Sequence, residues 1–585
     1  MRRGNDTPPV HYRLINIFRF LLVSLNVSAI LQESTINRRR ERLGKITDGS
    51  QSGNAYDTMI KRIQAQGAGK SKLGMDALMW ISHAERPLTK EELCQALAID
   101  PGSTGFDADN VPSISTVVGC CQGLITVDKE TSTVRLTHFT LKEYLSIHPR
   151  IFSNPHSTIA EACLTYLNSE LVKRISPDAA SSALDTPLLK YSSIYWGVHA
   201  ERELSTCAKS LALQLFQEYD RHVSIKLLLQ QVEDLGPPYF STDPSTSRRF
   251  SGLHCASFFG IVDVVDALLE MECYDINEGD LAGYTPLAWA AHNGHGGVVE
   301  MLLEREDIIP DKPNSQGQTP LLLAAYRGHE GVVEILLERV EVNPDQPDND
   351  GWAPLVYAAE EGHEGVVKTL LHRKDVDPDR AGSDGQTPLA CAASSGHDQV
   401  VKILLGRKEV NPDKPDSDGQ TPLSRAASSG HEQVVKILLG RKEVNPDMAD
   451  SDGRTPLSYA AWSGSGNVVK MLLARKEVNP DKPDRDGDTP LLDAARGGYD
   501  EVVKMLLEQE VINPDKPNSA GRTPLSFAAQ KGHVGVVKML LGREDVNPKT
   551  PDRCGQTPLM FADRYGHKSV MALLQRHQAV SHSAI

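Results

Sequence analysis

The chain has few aromatic residues, 5% Phe, Trp and Tyr together. So few rings suit a repetitive helical protein better than a large sandwich core. Positive charge is in deficit too: 62 Lys and Arg stand against 77 Asp and Glu, a net charge of -15. Phosphate-binding faces need excess Lys and Arg, so nucleic-acid and anionic-membrane partners are disfavoured. The nine cysteines are scattered, with only Cys120 and Cys121 adjacent and no Cys-x-x-Cys. That pattern offers neither a disulfide framework nor a zinc site, and fits free thiols in a reducing compartment. No apolar run is long enough to span a bilayer. Phe20 to Leu31 has the length of a signal-peptide core behind a basic start, but Asn26 interrupts it. A buried helix, or the ragged start of a shortened chain, is the preferred reading of that segment. The expected location is cytoplasmic, or nuclear, rather than secreted.

What is present is one unit, copied. Thr-Pro-Leu or a close variant begins at Thr285, Thr319, Ala353, Thr387, Thr421, Thr455, Thr489, Thr523 and Thr557, always 34 residues apart. A weaker copy starts at Ser251, making ten units. In the unit from Thr421, the Thr hydroxyl caps a helix and Pro422 suits its first turn. Leu423, Ala426 and Ala427 form a short inner helix that Gly430 ends. Val434, Val435, Ile437, Leu438 and Leu439 make an apolar stripe on a second helix, and Asp452-Gly453 turns the chain back.

These elements resemble the ankyrin repeat over about residues 247–580, through Thr-Pro-Leu, Ala-Ala, Gly-His and Val-Val-x-x-Leu-Leu. The family's His after Thr-Pro-Leu survives only as His254, so its Thr–His hydrogen bond is expected to be missing elsewhere. The period is 34 rather than the family's 33. Asp563, Lys568, Gln575 and Arg576 mark the last copy as a polar cap. The resemblance implies function on the finger tips and the exposed side of the first helix. The candidate protein-binding residues there are Tyr284, Tyr326, Arg327, Trp352, Arg454, Trp462, Arg496 and Arg522. Acidic fingers such as Asp413, Asp416 and Asp418 either steer a basic partner or solubilise the edge. The recurring histidines His295, His329, His363, His397, His431, His533 and His567 lie one per unit, about 10 Å apart. Metal ligands must converge within about 2 Å of an ion, so these histidines are framework.

Residues 72–150 read as three helices and a β-hairpin, a winged helix-turn-helix, with capping boxes at Thr89/Glu92 and Thr140/Glu143. Its third helix, Ser113 to Leu124, holds no Lys or Arg, which disfavours DNA readout. The blocks "ALMWISHAERPLTKEELCQALAID", "VPSISTVVGCCQGLITVD" and "VRLTHFTLKEYL" resemble the winged helix after the NACHT NTPase module of fungal NOD-like (STAND) proteins, often labelled a GPI inositol-deacylase winged helix. The likeness runs over about residues 43–235. It implies that Tyr56 to Gln66 is a helix ending such a module, and makes His138 a counterpart of a nucleotide-touching His, a role disfavoured here.

"QGAGKS", Gln66 to Ser71, imitates the end of a P-loop. A working P-loop follows a buried strand. Here the preceding Tyr56, Met59, Ile60 and Ile63 have helical spacing, and Gln64 stands where the first Gly belongs. Lys70 as a phosphate ligand is therefore disfavoured, and the stretch reads as a flexible helix-to-helix junction.

The expected fold is mainly α: a small winged helix and helical linker, then a ten-unit ankyrin α-solenoid with hairpin fingers. The boundaries are 1–42 unassigned, 43–71 helical remnant and linker, 72–150 winged helix, 151–235 helical linker domain, 236–246 Pro/Ser-rich linker, 247–580 repeats and 581–585 tail. The expected function is a non-enzymatic scaffold related to NOD-like receptors, binding a protein and needing no cofactor, metal or small-molecule substrate. The alternatives are a nucleotide-regulated STAND switch, were the chain a truncated gene model, and a secreted ankyrin effector.

Overall fold

The computed structural model describes residues 52–100, 103, 106–175, 186–217, 219, 222–233, 250–271 and 273–583, with Thr35 and Arg38. The apolar segment 20–31 and the linker 236–246 lie outside the described residues. The chain is mainly helical and divides into two compact units between Ala282 and Gly283.

The first unit opens with α1 (Ser52–Gln64) and α2 (Ala68–His83). Tyr56, Met59, Ile60 and Ile63 of α1 are all buried. The Tyr144 hydroxyl donates to the Asp57 carboxylate, and the two rings Tyr56 and Tyr144 lie 5.2 Å apart. The helix is thus part of the winged domain's core. The α1–α2 junction is pinned rather than free: the Gln66 amide donates to the Cys120 carbonyl at 2.7 Å. The expected flexibility gives way because a side chain fixes the loop from across the domain.

Helices α3 (Lys90–Leu97) and α4 (Ile114–Cys120) follow, then β1 (Ile125–Val127) paired antiparallel with β2 (Val134–Leu136). The Thr89/Glu92 capping box forms: Glu92 N–H donates to Thr89 Oγ1, and Thr89 N–H to the Glu92 carboxylate. The second expected box does not. Helix α5 (Phe139–Ile147) starts before Thr140, and His138 caps it by accepting from Thr140 N–H. The Thr140 hydroxyl instead joins Tyr56 Oη and His138 Nδ1.

Helices α6 (Pro155–Leu167), α7 (Glu170–Lys173), α8 (Leu188–Arg202), α9 (Thr206–Phe216) and α10 (Val223–Glu233) complete this unit with the first repeat copy, α11 (Gly252–Phe259) and α12 (Val262–Glu270). Trp196 of α8 meets Phe216 and Phe259 edge-on at 5.9 and 5.3 Å. Buried Tyr219 donates to Cys255 Sγ at 3.1 Å. Isolated repeats cannot bury their faces alone; here the linker helices cover the first copy.

The second unit is a stack of helix pairs. Each inner helix, such as Pro422–Ser429, starts on a Thr whose hydroxyl accepts the third helical N–H. Ala353 is the exception and its helix has no side-chain cap. The expected Thr–His bond survives at Ser251–His254 (2.8 Å), while Thr421–Ser424 and Thr455–Ser458 replace it with paired hydroxyls. Gly430 ends its helix at φ +75°, a conformation that costs Gly least. Outer helices such as Glu432–Leu439 bury Val434, Val435, Leu438 and Leu439.

Three ties cross the joints between units. Each finger donates one backbone bond to the one before it, as Ser417 N–H to Asp384 O at 3.0 Å and Ser451 N–H to Asp418 O at 2.9 Å. The histidine Nε2–H groups of His329, His363, His431, His533 and His567 donate to the carbonyls of His292, Tyr326, Ser394, Arg496 and Gln530, at 2.9–3.1 Å. They cap the preceding inner helix, whose last carbonyls have no partner of their own. Arginines Arg373, Arg407, Arg441, Arg475 and Arg543 do the same for the preceding outer helix, at Leu337, Leu371, Leu405, Leu439 and Leu507. The terminal copy exposes Asp563, Lys568, Gln575 and Arg576, as a cap requires.

Candidate protein-interaction surface

Tyr284 precedes its Thr and stacks on Trp289 of the inner helix, centroids 4.8 Å apart. His292, one turn on, accepts from the Arg327 guanidinium of the next unit at 3.0–3.2 Å. Burial, with the Arg327 charge behind it, pulls His292 down to about 3, so it stays the neutral acceptor. Arg327 also lies over the Tyr326 ring at 5.4 Å, and Tyr326 meets Tyr357 edge-on at 5.5 Å. Trp352 lies 5.3 Å from Tyr357, whose hydroxyl donates to Asp348 at 2.7 Å. Tyr284, Tyr326, Arg327 and Trp352 therefore belong to one connected aromatic patch.

The other end of the array is built on arginines. Arg454 pairs with Asp484 at 3.4 Å. Arg496 pairs with Asp488 and Asp493, and stands 4.4 Å from the centroid of Phe527. Arg522 lies 3.7 Å from Phe527 and 4.6 Å from Phe561, continuing an alternation of guanidinium and ring. Burial pushes Asp493 up to about 7 against the pull of Arg496. Trp462 differs from both groups. It is 58% exposed, the only tryptophan of five with that exposure.

The structure adds a position that the sequence reading missed, between the Leu and Ala-Ala of each inner helix. It holds Trp289, Leu323, Tyr357, Cys391, Arg425, Tyr459, Asp493, Phe527 and Phe561. Arg425 and Tyr459 bond Asp416 and Asp450 of the preceding finger, as Tyr357 does Asp348. The signal was available: a different chemistry at one position of an otherwise copied frame. The fingers are also less free than expected. Asp416 is buried and accepts from the backbone of Asp418 and Gln420, and Asp413 accepts from Asn445 N–H of the next unit at 2.6 Å. Asp418 alone of the three remains exposed without a side-chain role of this kind.

Lys70 is exposed in the first turn of α2, behind a helix rather than a strand. Among the described residues, no P-loop geometry surrounds it. His138 serves as the α5 cap and stacks on exposed Phe139 at 4.5 Å. Among the described residues, Glu85, His156 and His199 bring metal-ligand atoms within 4.8 Å of one another. However, the Nδ1 atoms of the two histidines face each other at 2.8 Å, with ring centroids 5.1 Å apart. The rings are nose to nose. An ion needs about 2 Å to each nitrogen, which that line lacks, whereas one shared proton fits. His199 Nε2 and the Tyr191 hydroxyl share a hydrogen bond at 2.9 Å, and Arg202 holds Glu85. These groups form a hydrogen-bonded chain joining the winged helix to the linker helices.

A stack of helix pairs with finger loops and a composite outer face defines a repeat protein of the solenoid class. A family model of ankyrin repeats (3 copies) matches residues 200–312, 306–382, 341–416, 373–450, 408–484, 442–518 and 510–583, and the chain belongs to the ankyrin-repeat family. A second model, the GPI inositol-deacylase winged helix domain, matches residues 60–151. A search of curated proteins found no match. The ankyrin architecture supports a protein-interaction scaffold, and no described helix is long and apolar enough to cross a membrane.

Proposed function

We propose that the protein is a non-enzymatic recognition scaffold whose repeat array holds a protein partner on the face that carries Tyr284, Tyr326, Arg327, Trp352, Arg454, Trp462, Arg496 and Arg522. The carrying observation is Trp462, a 58% exposed indole on an inner helix whose Leu457, Ala460 and Ala461 are buried. Tryptophan, tyrosine and arginine dominate interface energies, and this face concentrates all three. The residues flanking the frame vary while the frame repeats, which is what a scaffold adapted to one partner requires.

The winged helix, similar to that of NACHT-type proteins, supports a place among the relatives of NOD-like receptors, and a cytoplasmic one. In that setting the first unit relays or docks what the array recognises. The test is affinity capture from the native cell extract with the full chain, with Trp352→Ala/Trp462→Ala, and with an outer-helix control, Lys436→Ala. The proposal expects a protein retained by the parent and control and lost by the double variant. Retention by all three would refute the assignment of this face. Binding of ADP at micromolar concentration, abolished by Lys70→Ala, would replace the scaffold reading with a nucleotide switch.

A further inference from the structure

The ties between units are not uniform, and at one joint the residues that make both are replaced. Ser465 and Tyr499 stand where the other Thr-Pro-Leu units carry a histidine. The Tyr499 ring fills the same place, against Gly464 and Gly497, but presents no ring N–H to the Trp462 carbonyl. His397 also sits in that place, over Gly362, so only at Ser465 and Tyr499 is the imidazole itself absent from these units. Ten residues after Tyr499, Gln509 replaces the arginine that caps the preceding outer helix. Its amide turns back instead to Met505 O of its own helix, at 3.4 Å. The joint between the units that begin at Thr455 and Thr489 thus lacks both helix-end ties.

A groove of about 470 Å³ opens between the outer helices Gly466–Leu473 and Asp500–Leu507, with Gln509 and Met505 in its wall. The finger side of the same joint is intact. Ser519 N–H donates to Asp486 O at 2.8 Å, and Lys516 pairs with Asp481 at 2.9 Å.

We infer that the array carries a built-in weak joint between the units starting at Thr455 and Thr489, hinged on the fingers and opening on the helix side. A stack of repeats behaves as a row of units with nearest-neighbour couplings, so it yields first where one coupling is weakest. The three copies from Thr489 onward then loosen together, as a block. Trp462, the exposed indole, lies on the unit that faces this joint. An array that must bend to fit its partner bends here.

Amide hydrogen exchange on the full chain tests this. Exchange along the array is expected to step up at the joint, with the inner and outer helices after Thr489 exchanging together at least tenfold faster than those of the units starting at Thr387 and Thr421. Tyr499→His and Gln509→Arg should each shrink the step about fivefold, the worth of one net hydrogen bond. The reciprocal pair, His431→Tyr with Arg441→Gln, removes the same two ties from the joint before Thr421 and should create a second step there. Gradual fraying from the C-terminus with no step would overturn the inference. So would a step that neither restoring variant reduces, or a reciprocal pair that creates no step before Thr421.

Discussion

The units Thr387–Gln420 and Thr421–Arg454 differ only at Ala390/Ser424, Cys391/Arg425, Asp398/Glu432, Lys414/Met448, Pro415/Ala449 and Gln420/Arg454. Apart from buried Ala390 and Cys391, their buried apolar frames match residue for residue, from Leu389/Leu423 to Leu404/Leu438. The two largest chemical changes, Cys391 to Arg425 and Gln420 to Arg454, both fall on the candidate face. Pairing makes those changes tolerable. Arg425 bonds Asp416 of the finger before it, and Arg454 reaches Asp484 of the finger after it. The comparison separates two kinds of position: one kind is constrained by stacking and the other by what the face must meet.

Substitutions can break that separation or sharpen it. The largest effect is expected inside the frame: Leu438→Ala, at a fully buried site, should cost about 2–5 kcal/mol in urea unfolding. An equal loss from Arg425→Cys would break the distinction. Next come the caps. Thr421→Ala should cost about 1 kcal/mol, and Ala353→Thr should restore about that much to the one uncapped copy. Both are read from denaturation midpoints. Trp462→Ala should change stability by less than about 0.5 kcal/mol, yet weaken partner binding at least tenfold by calorimetry.

A pH-dependent effect concerns Asp493, a buried carboxylate on the face. Its pKa is raised, so the folded state holds a proton that the unfolded state has released between pH 4 and about 7. Stability at this unit therefore falls as pH rises through that window. Asp493→Asn should raise the melting temperature at pH 8, and the gain should vanish toward pH 4. A gain independent of pH would show that packing, not ionisation, sets the difference.

Most of the array was legible because its signals are local and repeated. Thr421 and Pro422 start a helix by their own chemistry, Gly430 stops it, and a 34-residue period fixes the stacking partner. The winged helix was legible through the Thr89/Glu92 box and the paired alternation around Asp128 to Thr133, but the start of α5 was not. Thr140 and Glu143 have capping-box spacing. Tyr56, 84 residues away, takes the Thr140 hydroxyl, a partner that spacing cannot announce. The face was partly legible. Tyr284, Trp352 and Arg522 stood out by type, whereas the inner-helix position of Tyr357 and Phe527 was hidden inside the motif. Only contact geometry shows these rings stacking on the residues already singled out.

By itself the sequence determined the repeat, its period, the helix pairs, the caps and the helix, rather than strand, ahead of Lys70. Each follows from backbone preference and apolar spacing within about thirty residues. Tertiary structure alone decided which polar groups are spent. Asp413 and Asp416, legible only as an acidic edge, are committed to neighbouring backbone. The recurring histidines became helix caps for the unit before them, because stacking brings each imidazole against carbonyls left open at a helix end. A residue's reach across a joint depends on how two units meet, and that is set by packing rather than by spacing along the chain.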